Sequence, residues 1–354
     1  MFGLKGAFFL AAFLVCAGGD ALGQTGQAWP EADRLFRSDP RWLGGDAAYS
    51  VDLGEGRVLW MFGDSFVATK AGLTRRQSAF IRNSVAIQTG YDPSHAAMKF
   101  YSVVRRGKPF DFAPPDGENW LWPLHGIRLG NRLLLFYARM ARDRSRDSLG
   151  FQSVGWNAFF VDNPDTEPSK WKLRSARTQG KMLIGASVIR QGEYVYAFVL
   201  QDVEHDAYLL RWAVSEAAEG RLFSPQWWCG VGGGWRTDPS SRQMVIRDAG
   251  SEFSVQSDPH GGFIEVNTNG FGATSIVMRR ATCLEGPWGE PRTLYRPPES
   301  DGPEPFVYAG KAHPELLGAD LVVTYVANGS DDRLATDMSI YYPRIVRVDL
   351  SSTH

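Results

Sequence analysis

Apolar positions along this chain come in short runs. Stretches rich in Val, Ile, Tyr and Phe alternate with clusters of Gly, Pro, Asn and Asp, and little helical periodicity appears after Trp42. That texture predicts an all-β protein. The clearest pair of runs is Ala47–Val51 and Val58–Phe62, separated by the turn residues Gly54-Glu55-Gly56. An antiparallel hairpin of this kind brings the start of its first strand and the end of its second to one edge. Asp46 stands at the start and Asp64 at the end, so the two carboxylates are expected side by side.

The same texture repeats. Ser84–Gln88 completes a first set of three strands. A second set holds Gly126–Leu129, Arg132–Tyr137 and Trp156–Val161. A third holds Ala186–Arg190, Tyr194–Leu200 and Ala207–Val214. A fourth holds Phe253–Ser257, Gly262–Asn267 and Thr274–Arg279. A fifth holds Pro314–Leu317, Asp320–Val326 and Ile340–Val348. Most sets are followed by an aromatic-rich stretch suited to an outer strand. The residues heading the sets are Asp46, His125, Gly185, Glu252 and His313, at separations of 79, 60, 67 and 61 residues. Repeated four-stranded antiparallel sheets at such a period predict a five-bladed β-propeller. An irregular β-sandwich or two β domains are the rivals. In a propeller the strand heads converge on a central pocket, and the ends of the second strands return to the same face.

The chain of 354 residues is long enough for this as one domain, expected over 34–354. The formal net charge of −1 gives no field that favours nucleic acid. No nucleic-acid partner and no membrane span are expected, and the chain is expected to be a monomer. Residues 1–23 have the form of a signal peptide: Lys5 is a positive n-region, Gly6 to Ala17 a short apolar core, and Ala21-Leu22-Gly23 a small-residue cleavage site. Secretion or a periplasmic location follows. A lipidated Cys16 is the alternative, but Val15 is bulky where a small residue precedes such cysteines. Cys229 and Cys283 are either one disulfide or two buried thiols. No cofactor motif stands out: there is no P-loop, dinucleotide glycine pattern, HExxH or GxSxG.

Several segments together resemble a known group. Asp46-Ala-Ala-Tyr-Ser-Val with Leu59-Trp60-Met61-Phe62, Trp122-Pro123, Ile184-Gly185-Ala186-Ser187-Val188, Ser251-Glu252-Phe253-Ser254-Val255 and His313-Pro314-Glu315-Leu316 follow one another as in five-bladed propeller glycoside hydrolases, the arabinanase, xylosidase and fructosidase group. More narrowly, Gly45-Asp46-Ala47-Ala48-Tyr49-Ser50, Phe62-Gly63-Asp64-Ser65-Phe66, Arg82-Asn83-Ser84 and Lys311-Ala312-His313-Pro314-Glu315 resemble the secreted bacterial set called domain of unknown function 4185, some of whose members act on D-arabinan. The resemblance implies a glycoside hydrolase with Glu252 as general acid and Asp46 as base or nucleophile. It also implies a third acid at the third strand head, where this chain has Gly185. Asp64 is the expected substitute, with Asp202 in reserve.

Glycosidic cleavage needs one protonated and one ionised carboxyl group, so paired acids in a pocket suit it. Acids that cap turns or pair with arginine are the bland alternative. Arg82 and Asn83 begin the third strand of the first set and are expected to orient a carboxylate or bind sugar hydroxyls; a structural ion pair of Arg82 with Asp64 or Asp46 is the rival. His125 and His313 are expected on the axis, binding sugar or a water or cation there; a satisfied core histidine is the rival. Lys311 flanks His313. Trp122 and Tyr341, with Trp120 and Trp156, are candidate platforms for sugar rings. A non-catalytic carbohydrate-binding propeller is the competing function.

Overall fold

The computed structural model describes residues 25–145, 150–176, 178, 180–201 and 205–350. The expected signal segment and Asp202 lie outside them. The protein is mostly β and its sheets are antiparallel; five larger ones follow one another along the chain, with a three-stranded sheet (Trp42–Gly45, Ser65–Val67, Ala79–Ile81) interleaved with the first and a two-stranded one (Val103–Arg105, Lys108–Phe110) after it. The first sheet holds Tyr49–Gly54, Arg57–Phe62, Ser84–Thr89 and Ala97–Tyr101. The second holds Trp120–Leu129, Arg132–Arg142, Phe151–Val161 and Leu173–Ser175. The third begins with Leu183–Gln191, Tyr194–Leu200 and Ala207–Ala213 and is extended by three short strands. The fourth holds Phe253–Ser257, Phe263–Thr268, Ile276–Ala281 and Arg292–Tyr295. The fifth holds Val307–Ala312, Leu321–Ala327 and Arg344–Val348, and its outer strand is Gly26–Ala28 from the other end of the chain.

Alternation of side chains gives each sheet two buried faces, and the core is divided accordingly. Tyr49, Leu59 and Met61 of the first sheet pack with Leu133, Leu135 and Tyr137 of the second. Phe136 and Trp156 pack with Val195 and Trp212 of the third. Phe198 and Leu209 pack with Phe253 and Val255 of the fourth. Ile264 and Met278 pack with Val323 and Tyr325 of the fifth. Val322 and Ile345 of the fifth then pack with Val58, Trp60 and Phe62 of the first. The succession of interfaces therefore returns to its start.

The first strands of the five sheets are tied together the same way. His125 Nε2 donates to Ser50 O at 3.1 Å, and Val188 N donates to His125 Nδ1 at 2.9 Å. Val255 N donates to Ser187 Oγ at 2.8 Å, and Ala312 N to Ser254 Oγ at 2.7 Å. Ser50 Oγ and His313 Nδ1 lie 2.6 Å apart and complete the circuit. These strands have an unpaired edge on their inner side, so their N–H groups need partners from elsewhere.

Two expectations are corrected. Pro314–Leu317 is not a strand; the inner strand of the fifth sheet is Val307–Ala312, so His313 follows it instead of heading it. The strand is irregular, with a register shift between Tyr308 and Lys311 and Ala309 at φ 60°, and its Ala-Gly-Lys centre carries no β signature. The fold also begins before residue 34, because Gly26 to Ala28 pair with Val348 to Val346. Cys229 is buried and Cys283 exposed, and they are not bridged.

The circuit of hydrogen bonds gives a stability test. Ser187→Ala leaves the buried Val255 N–H without its acceptor, which costs about 1–3 kcal/mol. Urea unfolding is expected to show a lower midpoint with an unchanged slope; an unchanged midpoint would mean that this link contributes nothing.

Candidate active site

The expected meeting of Asp46 and Asp64 is observed. Gly63 N donates to Asp46 O at 3.1 Å, so the two ends of the first hairpin are stitched together. Gly63 is required there, since a Cβ atom on it would stand 2.4 Å from Asp46 Oδ1. The backbone around the acids is unusual. Ala47, Ala48, Ala309 and Tyr341 all have φ between 55° and 63°, the left-handed region that side chains disfavour. Such conformations persist where surrounding contacts fix them. The nearly inaccessible Arg75 ties down the chain leading to Tyr341: its guanidinium donates to Leu334 O, Asp337 O and Ile340 O, and also to Leu43 O, at 2.6–3.0 Å.

Asp46 Oδ2 accepts hydrogen bonds from the hydroxyls of Tyr308, at 2.8 Å, and Tyr341, at 3.1 Å. The Tyr341 hydroxyl also lies 3.0 Å from Asp64 O, so one phenol spans both aspartates. Burial pushes the Asp46 carboxyl up to about 8, helped by the negative charges of Asp64 and Glu252 and opposed by the two phenols. Burial also raises both phenols, which stay neutral donors.

Asp64 has a different environment. Arg82 Nη1 reaches its two oxygens at 3.0 and 3.3 Å, and Trp122 Nε1 donates to Oδ1 at 2.8 Å. Burial raises Asp64 to about 6, with Arg82 and Trp122 holding it down. Arg82 in turn lies over the Trp120 ring, 4.6 Å from its centroid.

Glu252 belongs to the same cluster through Lys311. The Lys311 ammonium donates to Glu252 Oε2 at 2.8 Å, to Ala309 O at 2.8 Å and to Ala47 O, beside Asp46. It lies over the Tyr49 ring, 4.6 Å from its centroid. Burial lowers the lysine, and the charge of Glu252 opposes that shift. The acids thus differ in kind: Asp46 receives neutral hydroxyls, whereas Asp64 and Glu252 each face a cation. Environments that separate like groups in this way are how one site holds both a proton donor and an anion.

Three candidates are structural instead. Asn83 is buried and spends its amide on backbone: it donates to Ala113 O and Leu121 O and accepts from Ala113 N. His125 has both ring nitrogens in the inter-sheet circuit, and burial lowers it to about 4. His313 is likewise engaged by Ser50 and by Thr324 Oγ1 at 2.7 Å, and burial lowers it too. Neither imidazole has a free nitrogen for sugar or for an axial cation. Trp156 is core. Among the described residues no group of three or more His, Cys, Asp or Glu is placed to hold a metal ion. Gly185 cannot be the seat of a third acid: its φ is 103°, and a Cβ would lie 2.5 Å from Phe136 Cβ. Tyr308 and Arg75 escaped sequence reasoning. Tyr308 lies three residues before Lys311 on the misplaced strand; nothing local marked Arg75. Two cavities of about 330 and 410 Å³, lined by residues such as Trp42 and Phe100 or Met182 and Trp227, contain none of the three acids. Chemistry, not cavity volume, identifies the site.

Solved structures share this fold. The fold is shared with a candidate hydrolase from Bacteroides ovatus, at a TM-score of 0.71 and 17% identity over 91% of this chain and 90% of that one. It is also similar to an exo-β-1,3-galactanase from Phanerochaete chrysosporium solved with β-1,3-galactotriose, at a TM-score of 0.51 and 10% identity over 88% of this chain and 62% of that one. A GH62 α-L-arabinofuranosidase from Coprinopsis cinerea matches at a TM-score of 0.46 and 12% identity, over 86% of this chain and 90% of that one. The chain belongs to the family described as Domain of unknown function (DUF5005), whose model matches residues 31–349. No curated protein matches the sequence.

The Asp46 shift sets a pH dependence. Its folded pKa is raised above the ordinary 3.8, so the folded state holds a proton that the unfolded state releases. This contribution to stability is full below about pH 4, falls as pH rises to about 8, and is constant above that. Asp46→Asn keeps an acceptor for the two tyrosines and removes the ionisation. The variant is expected to gain stability over wild type from pH 5 to pH 8 in parallel denaturation curves; a constant difference would show that Asp46 ionises normally.

Proposed function

We propose that this protein is a secreted glycoside hydrolase, a five-bladed β-propeller that cleaves an oligosaccharide or polysaccharide at Asp46, Glu252 and Asp64. The five successive sheets and the circuit linking their inner strands support the propeller reading. A kinship with domain of unknown function 4185, and an arabinan or other furanose-containing substrate, belong to the same proposal. The carrying observation is the contrast between Asp46, buried among acids and phenols, and Glu252, held by the Lys311 ammonium.

That contrast favours roles opposite to those expected from sequence. Asp46 retains its proton near neutral pH and donates it to the leaving oxygen. Glu252 is the anion that activates water or stabilises positive charge at the sugar carbon. Asp64, fixed by Arg82 and Trp122, keeps negative charge beside Asp46 and raises its affinity for the proton. Tyr308 and Tyr341 stabilise the Asp46 carboxylate once the proton has left.

A non-catalytic carbohydrate-binding protein is the second reading. The blocked position at Gly185 favours it, since one acid of the related hydrolases has no place there.

A polysaccharide panel separates the two. The wild type is expected to release sugars, and Asp46→Asn and Glu252→Gln to lose about 10²–10⁴-fold in kcat/KM. Binding without cleavage by the wild type establishes the second reading. An aryl glycoside with a good leaving group needs no proton donor. It is therefore expected to be turned over far better by Asp46→Asn than by Glu252→Gln, and the reverse order would return the donor role to Glu252.

A further inference from the structure

On the connection after Phe263–Thr268 stands an apolar feature that the chemistry does not use. Phe271 is 64% exposed, more than Phe80, Phe110 or Phe223. It occupies the tip of the connection from Phe263–Thr268 to Ile276–Ala281, between Gly270 and Gly272. The tip is fixed from behind. Gly272 and Val307 exchange two backbone hydrogen bonds of 3.1 Å. Thr274 Oγ1 donates to Asn269 O at 2.6 Å, and Ser300 Oγ to Thr274 O at 2.6 Å. The phenyl ring is therefore held outward by a braced loop.

Phe271 is also the end of a row. Its ring lies 6.0 Å from Phe306, and Phe306 stacks on Tyr308 at 5.3 Å with planes 28° apart. The Tyr308 hydroxyl donates to Asp46. An unbroken line of aromatic rings thus runs from solvent to the acid.

We infer that Phe271 and Phe306 form a distal subsite that binds a sugar ring of an extended glycan chain whose reacting bond lies at Asp46. This rests on the glycan-cleaving reading above and deepens it. The C–H face of a sugar ring is apolar, and its slightly positive hydrogens suit the negative face of an aromatic ring. A row that ends on the reacting acid is placed to receive neighbouring units of the same chain. Where such a contact is equally strong in the ground and transition states it lowers KM alone, and it is absent for a substrate too short to reach.

The test compares wild type and Phe271→Ala, as full chains, on arabinan, arabinoxylan and galactan and on p-nitrophenyl glycosides of the same sugars. The expected result is about a tenfold rise in KM on the cleaved polysaccharide, with kcat/KM on the aryl glycoside unchanged. Phe271→Trp restores the low KM, and melting temperatures stay equal. An equal loss on both substrates, or none on the polymer, overturns the subsite while leaving the hydrolase reading standing. A dimer that Phe271→Ala dissociates without changing glycan kinetics assigns the ring to a second copy and also overturns it. If the wild type neither binds nor cleaves any of these glycans, both fall.

Discussion

The structure depends on a circuit of hydrogen bonds that links the first strands of its larger sheets. A strand edge directed at other strands, and not at water, must find partners for its N–H groups. Here short side chains and two imidazoles provide them: Ser187, Ser254 and His125 each reach a backbone N–H of the next strand, and His313 meets Ser50 where the last strand adjoins the first. His125, whose Nδ1 accepts from Val188 N, must be neutral, and burial disfavours the charged form of both histidines. The fifth sheet then takes its outer strand from Gly26–Ala28, which ties the two ends of the fold together.

Burial is what makes the acids unusual. Asp46, Asp64 and Glu252 are distant in sequence and come from the first and fourth sheets. Convergence of strand ends packs them together and removes water from around them. Desolvation is the largest influence on both Asp46 and Asp64, larger than any single charge nearby. The cluster is tolerable because every acid has protein donors: two phenols for Asp46, a guanidinium and an indole for Asp64, an ammonium for Glu252. The positive-φ residues Ala47, Ala48, Ala309 and Tyr341 cluster at the same place, consistent with backbone strain held by a site that needs its geometry.

Much of this was legible in the chain. Strands with alternating Val, Ile and aromatic residues were found within a few positions, and the turn at Gly54-Glu55-Gly56 brought Asp46 to Asp64 as the hairpin rule requires. The inner strand of the fifth sheet was missed because a buried lysine and small residues replace the apolar pattern at a bulge. Tyr308 was lost with it. The histidines were recognised as central, but sequence cannot show whether a buried imidazole serves a ligand or a neighbouring strand. Asn83 was misread for the same reason: an amide bonding three backbone groups looks, in sequence, like one aimed at substrate.

Gly185 shows how packing decides what chemistry a position can hold. A carboxylate there would require a Cβ in the space of Phe136, whose ring stacks between Trp156 and Trp212 in the core of the second and third sheets. The bulk of that aromatic stack and the missing side chain at Gly185 are one choice. Asp64 does not replace the absent acid from the same direction. It arises from the second strand of the first sheet, two residues past Phe62, and is held by Arg82 and Trp122 instead of standing alone. Arg82 and Trp122 favour its charged form against the burial that raises it. Its nearest consequence falls on Asp46, whose proton it helps retain. The charge of Asp64 thus bears on Asp46 from within the first hairpin, while the aromatic packing between the second and third sheets leaves no room for an acid at Gly185.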